Sequence, residues 1–257
     1  MRILVCVKRV PAPGARINLT ADEQAIDTAH LGFTTSPHEE CAVEAAVQLV
    51  ETHGGAATVL TVGPAEAEEQ LRYAVSVGVS AAVLVPTDGA DWDPQRTARA
   101  ITAAVTRLEE ADGRFDLLLF GNEAADSGGF QVGIRVSHAL GRPMVNGIKG
   151  IEVVDGAVRL RRDTDTGQET YELPLPTAVG VKEGINLPRY PTMKGRLASK
   201  RVEITRLDVA AEAAPGGQQM VRLQRPVERA ATTVVLGHGA GAAPAVVDLL
   251  DELGVLA

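Results

Sequence analysis

Hydrophobic positions in this chain alternate between short apolar runs and amphipathic stretches. Arg2 to Lys8 (RILVCVK) is a compact apolar run of the kind a buried strand needs, and Ala57–Val62, Ala81–Val85 and Leu117–Phe120 are three more. Between them, apolar residues recur at helical spacing. Ala42, Ala46, Leu49 and Val50 form one stripe, a second helix runs from Gly63-Pro64 to Val77, and Ala98, Ile101, Val105 and Leu108 form a third stripe. Phe130–Leu140 is the helix expected after the fourth run. The punctuation agrees with this reading. Ser36-Pro37-His38-Glu39 combines an N-cap serine, a proline at the first helical position and a glutamate three residues after the cap. Asp93-Pro94 opens the third helix, and Gly54-Gly55, Gly78 and Asp112-Gly113 close the first three. Four strand–helix repeats in succession predict an α/β class: a Rossmann-like, doubly wound, mostly parallel sheet with helices on both faces.

The pattern changes after Pro143. Ile151–Val154, Asp155-Gly156 and Ala157–Arg162 predict a hairpin with a type I′ turn, and Gln168–Leu173 and Thr177–Val181 predict further strands. This half is expected to be an antiparallel, partly exposed extension of the same sheet. Lys182–Arg196 (KEGINLPRYPTMKGR) then has two prolines, two glycines and little periodicity to bury Tyr190 or Met193. It is expected to be a loop, either a surface crossover or a segment that contacts a partner. Val202–Leu207 predicts one more strand. Asp208–Gly241 is rich in Ala, Gly, Pro and Gln and has few core-forming residues, and Ala245–Leu253 predicts a last helix. The expected organisation is a nucleotide-binding domain over 1–207 and an arm over 208–257 that docks onto something else.

Ligands of a doubly wound sheet sit beyond the carboxyl ends of its strands. The loops after Val7, Val62 and Phe120 and the Ser36 cap are therefore the candidate sites. The loop after Phe120 is the most distinctive. It runs Gly121-Asn122-Glu123-Ala124-Ala125-Asp126-Ser127-Gly128-Gly129, with Asp126 and Ser127 expected as N-caps of the following helix. A strand, a glycine loop and a helix N-terminus together make an anion site, while the plain alternative is a βα turn with no ligand. His38, in the first turn of its helix, has a solvated position as its plain alternative to a ligand role. Residues 8–16 form a proline-bearing loop, and Ile17–Ala29 is expected to be irregular, with one short strand.

Composition narrows the possible functions. The chain has 257 residues, 45% hydrophobic and 23% charged, with only 3% aromatics. A net charge of −8 and the absence of a long basic run argue against nucleic acid as a partner. Cys6 and Cys41 lack metal spacing and suit a core, so a reducing, cytoplasmic setting is expected. No signal-peptide pattern opens the sequence, and no apolar stretch is long enough to insert into a bilayer. There is no GxSxG elbow, HExxH motif, Walker lysine or GxGxxG after the first strand. The polar loops suggest nucleotide binding without bond-making.

Four stretches together resemble the beta subunit of electron transfer flavoprotein, across at least residues 1–207. They are ILVCVKRVP at the start, Ser36-Pro37 with CAVEAAVQL, the loop GNEAADSGGFQVG, and the region from Arg162 to Pro191 containing Asn186-Leu187-Pro188-Arg189-Tyr190-Pro191. The resemblance implies an adenine nucleotide alpha-hydrolase-like fold and a heterodimer with an alpha subunit. It implies one FAD, shared but held mainly by the alpha subunit, and a structural AMP in this chain. It further implies electron transfer from flavin dehydrogenases of the acyl-CoA dehydrogenase type to a quinone oxidoreductase, the chain being a carrier subunit and not an enzyme. Carried over by position, the cofactor site comprises Cys6, Ser36, Pro37, His38, Glu39, Val62 and Gly121 to Val132. Within it Asn122, Glu123 and Ala124 lie near adenine and ribose, and Ser127, Gly128, Gly129, Phe130, Gln131 and Val132 face the phosphate. His38 and the Pro11–Gly14 loop fall near the flavin. Pro188, Arg189, Tyr190 and Met193 are the implied partner contacts, with Met193 where the family usually has a leucine anchor. Leu187 replaces an acidic residue. Two alternatives remain open: an electron-bifurcating type with a second FAD in place of AMP, and an ATP-binding stress-type module.

Overall fold

The computed structural model describes residues 1–89, 92–211, 217–226 and 233–256. The chain enters through β1 (Arg2–Cys6) and then makes an excursion with two small ribbons. One ribbon pairs β2 (Val10–Pro11) with β5 (Phe33–Thr34), and the other pairs β3 (Asn18–Leu19) with β4 (Ile26–Asp27). Residues 17–29 are thus more ordered than expected, holding two short strands instead of one. Next come α1 (Pro37–His53), β6 (Ala56–Gly63), a 3-10 turn at Ala65–Ala67, α2 (Glu68–Ser76), β7 (Ala81–Pro86) and α3 (Pro94–Asp112). They are followed by β8 (Leu117–Gly121), α4 (Val132–Ala139), β9 (Met144–Val154), β10 (Ala157–Thr164), β11 (Gly167–Pro174) and β12 (Thr177–Val181). The last elements are α5 (Met193–Arg201), β13 (Ile204–Arg206) and α6 (Ala243–Glu252).

Nine strands form one sheet in the order β11-β10-β9-β12-β8-β1-β6-β7-β13. Every pairing from β9 through β13 is parallel, and only β9–β10 and β10–β11 are antiparallel. The α/β prediction holds, and side-chain alternation along the strands explains it. Ile3, Val5, Leu117 and Leu119 face α1 and α2, while Leu4, Leu60, Leu118 and Phe120 face α3 and α4. Strands buried on both faces read as continuous apolar runs, which is why the first four were visible in the sequence.

The start and stop signals also hold. Ser36 caps α1 with a complete capping box, Gly54 ends it, Asp93 caps α3, and Gly113 ends α3. Asp155 (φ 46°) and Gly156 (φ 80°) both lie in the left-handed region, as a type I′ turn requires.

Three expectations need correction. Thr177–Val181 is not part of an exposed antiparallel half. It is β12, buried at every residue and inserted in parallel between β9 and β8. Gly180 makes that insertion possible, because a Cβ there would sit 2.0 Å from Asn146 Oδ1. The helix after the glycine loop begins at Val132, not Phe130, and neither Asp126 nor Ser127 caps it. Segment 182–196 is not all loop. Thr192 accepts from Gly195 N–H and caps α5, which starts at Met193.

The structure divides into two compact units, Met1–Val221 and Arg222–Ala257. The second contains a short turn at Gly239–Ala242 leading into α6, the predicted last helix, none of whose residues is buried. Of the expected arm, residues 212–216, 227–232 and 257 lie outside the described residues.

Candidate functional site

The carboxyl ends of β1, β8 and β12 open side by side against the N-terminus of α1. Glu39 is the pivot. One carboxylate oxygen accepts the Ser36 N–H (3.0 Å) to complete the capping box, and the other accepts the Lys8 N–H (2.9 Å) at the exit of β1. The residue is 6% exposed, and burial pushes its carboxyl up to about 8 against the opposing pull of the two N–H donors. Gly121, the last residue of β8, lies directly over it. A Cβ there would come within 2.7 Å of Glu39 Cγ and 3.4 Å of His38 Cβ. The glycine is therefore a requirement of packing α1 against the mouth of β8. Cys6, at the end of β1, is buried, and burial beside Glu39 raises its thiol far above the usual range, so it serves as an inert core residue.

The loop after β8 is held at its start and left open further on. Asn122 N–H donates to Val181 O of β12 (2.9 Å), and Gly128 N–H donates to Ala124 O (2.8 Å). Lys8 Nζ reaches across to Asp126 Oδ2 at 2.6 Å, so the loop is pinned to the exit of β1. Gly128 (φ 56°) and Phe130 (φ 53°) are both left-handed, and such residues turn successive N–H groups outward into anion-binding nests. Among the described residues, no protein group accepts the N–H of Ser127, Gly129, Phe130 or Val132. The last of these belongs to the first turn of α4, where the helix itself leaves its donors without acceptors. The two carboxylates nearby do not cancel this donor field. Asp126 is paired with Lys8, and Glu123 Oε1 lies 3.4 Å from His38 Nε2. Unaccepted N–H groups at left-handed turns and a helix start are the kind of donors that bind anions.

The loop after β12 also returns to α1. Glu183 N–H donates to His38 Nδ1 (2.8 Å), so the imidazole joins the loops after β8 and β12. Its side chain is only 12% exposed, which removes the solvated alternative for His38. Three residues on, Asn186 Nδ2 donates to Cys41 O (3.0 Å). Arg189 then forms a double bridge to α1. Its Nε and a terminal nitrogen reach the two oxygens of Glu44 (2.9 and 3.0 Å), and its terminal nitrogens reach those of Glu51 (2.7 and 2.9 Å). The two carboxylates raise the guanidinium above its ordinary range, and Arg189 in turn lowers Glu51. Around this anchor Leu187, Tyr190, Met193 and Leu197 are displayed to solvent, Tyr190 at 91% and Met193 at 75% exposure. Behind them α5 is seated on α2. A Cβ on Gly195 would lie 2.0 Å from Ser76 O, and Arg72 donates to Ser199 O at 2.6 Å.

A family model described as the electron transfer flavoprotein domain matches residues 25–212. The chain belongs to the electron transfer flavoprotein family. Its similarity extends to curated proteins named electron transfer flavoprotein subunit beta. The relative from Mycobacterium leprae is 35% identical over 214 residues, covering 81% of this chain and 79% of its own. One from Syntrophomonas wolfei is 33% identical over 233 residues, 90% and 88% of the two chains. The Bacillus subtilis relative is 31% identical over 255 residues, 97% of each.

Within this electron transfer flavoprotein fold, the structure gathers Cys6, Ser36, His38, Glu39 and Gly121 to Asp126 at one mouth. Pro37 is exposed on the first turn of α1, and Val62 stands at the end of β6, one strand beyond β1. Gly129 leans toward the start of α3, its absent Cβ 3.8 Å from Pro94. Pro188 and Arg189 face inward, whereas Tyr190 and Met193 face out. Sequence reasoning missed the roles of the Lys8, Glu44 and Asn186 side chains and of the Glu183 backbone N–H. Glu44 and Glu51 stand seven apart on one helix face, a legible pair of carboxylates. Their arginine, however, lies 145 residues from Glu44, and no local signal connects them. Among the described residues there is no cluster of metal-ligating side chains and no helix long and apolar enough to cross a membrane.

Proposed function

We propose that this chain is the beta subunit of a heterodimeric electron transfer flavoprotein, a cytoplasmic carrier that pairs with an alpha subunit around one shared FAD. It takes electrons from flavin dehydrogenases of the acyl-CoA dehydrogenase type and delivers them to a quinone oxidoreductase. It also holds an AMP as a structural ligand. The observation that carries the reading is the loop from Gly121 to Val132, in which the N–H groups of Ser127, Gly129, Phe130 and Val132 lack protein acceptors among the described residues, in a chain of the electron transfer flavoprotein family.

The flavin, when bound, supplies the redox chemistry, and this chain supplies binding and placement. Ser127, Gly129, Phe130 and Val132 donate backbone N–H groups to the nucleotide phosphate. Lys8 closes the loop through Asp126. Glu39 holds α1, β1 and the Ser36 cap in one geometry, so the mouth is formed before the ligand arrives. His38 tethers the loop after β12 at the same mouth, and the segment beyond it presents Tyr190 and Met193 to the dehydrogenase.

Stoichiometry tests this. The chain is co-expressed with its alpha subunit, and flavin and adenine nucleotide are extracted from the purified complex. One FAD and one AMP per heterodimer is the expected result. Two FAD overturn the structural-AMP assignment in favour of the bifurcating type, and ATP turnover without a partner overturns the family role.

A further inference from the structure

The segment after β12 is displayed, yet it is not loose. It is tied to α1 at three successive points, His38 to Glu183, Cys41 to Asn186, and Glu44 with Glu51 to Arg189. The third tie differs in kind from the others. Glu44 is 4% exposed and receives Arg189 through a bidentate fork as well as the Arg189 N–H (3.1 Å). Gln48 supplies its only other side-chain donor among the described residues. Beneath the fork is a cavity of about 10 Å³, room for about one water, lined by Val43, Tyr73, Ala74 and Pro188, with Gln70 Oε1 left without a partner. The exposed apolar side chains flank this tie, Leu187 before it and Tyr190 directly after it.

We infer that Arg189 is a positioning residue: by spending its guanidinium on buried Glu44 and on Glu51, it fixes how Tyr190 and Met193 are presented to the redox partner. This rests on the docking role proposed for that segment. A planar fork holds a backbone in one orientation better than a point charge, because both ends of both carboxylates fix its plane. Interfaces gain most from residues that need no ordering on binding. Arg189 therefore contributes by preorganisation and does not itself touch the partner.

The test uses the flavin-loaded heterodimer and a purified acyl-CoA dehydrogenase reduced by its own substrate. For Arg189→Ala, the KM for the dehydrogenase is expected to rise about tenfold, with kcat and flavin content unchanged, and Arg189→Lys recovers only part of the loss. Without any partner present, amide exchange over residues 184–195 speeds up in Arg189→Ala. Adding Met193→Ala to Arg189→Ala costs no more than about twofold further, because the anchor is already misplaced. A KM within twofold of the parent, unchanged exchange, or fully additive effects with Met193→Ala each overturn the positioning role. Met193→Ala with an unaltered KM in the parent background instead overturns the docking reading on which it rests. If Arg189→Ala does not fold, Glu51→Gln removes only the outer half of the fork. About a threefold rise in KM with faster exchange then supports the role, and no change in either overturns it.

Discussion

The loops after β8 and after β12 leave neighbouring parallel strands and return to the same helix, yet they are built in opposite ways. The first, Gly121 to Val132, leaves the N–H groups of Ser127, Gly129, Phe130 and Val132 without acceptors among the described residues, beside left-handed Gly128 and Phe130. The second, from Lys182 to Thr192, is stitched to α1 by His38, Cys41, Glu44 and Glu51, and turns apolar side chains outward. A small anion is recognised by backbone N–H groups, which need close approach and no bulk. A protein surface is recognised by exposed side chains, which need a rigid base. The two designs share α1, a helix with nine buried residues, whose N-terminus serves the first loop and whose flank serves the second.

The comparison breaks most sharply at Gly121. In Gly121→Ala the new methyl would meet Glu39 Cγ at 2.7 Å, and Glu39 cannot swing away without giving up its bonds to Ser36 and Lys8. Overpacking of this kind costs about 1–3 kcal/mol. The variant is expected to lose its bound adenine nucleotide and melt several degrees lower, while the second loop keeps its exchange protection. Retained nucleotide would mean that the first loop does not depend on the α1–β8 contact.

Much of this arrangement was legible from sequence, and what was not has a physical cause. The first four strands, the caps of α1 and α3, and the type I′ turn at Asp155-Gly156 are local signals, each decided by residues within a few positions. The place of β12 is not legible because TAVGV, starting three residues after the hairpin strand β11, carries no mark of which neighbour it pairs with. Its insertion between β9 and β8 depends on Gly180 making room for Asn146 of β9. The sequence pattern places the start of α4 two residues early because Asp126 and Ser127 are good N-cap residues by type. Here Asp126 is taken by Lys8, 118 residues away in sequence. The glycine loop itself was visible, whereas the Arg189–Glu44 bridge was not. α5 was missed because its threonine cap follows a proline-rich run with little hydrophobic periodicity.

A smaller effect separates the loops by pH. Burial holds the Glu39 carboxyl at about 8, above its ordinary value of 4.5, so the folded protein binds its proton more tightly than the unfolded chain does. Stability from this group is therefore fully present below about 4.5 and declines as pH rises toward 8. Glu39→Gln removes the titration. The melting difference between parent and variant should then shift against the parent across that window, together with weaker nucleotide retention at the alkaline end. A difference that stays flat with pH would place the Glu39 carboxylate, already ionised, under the control of its two N–H donors and not of burial.

The smallest expected change in stability lies at the exposed end of the second loop. Tyr190 is 91% exposed and follows directly on the Arg189 anchor, so its ring is not part of what holds the segment in place. Tyr190→Ala is expected to move stability by no more than about 0.5 kcal/mol, as surface substitutions away from packing usually do. Reduction by the dehydrogenase should nonetheless slow, because aromatic side chains dominate contact energy where two surfaces meet. Thermal melting and stopped-flow reduction of the same preparation read the two effects separately. A large drop in melting temperature would show that the ring packs inward, and the division between an anchor that stabilises and a display that binds would fail at its first residue.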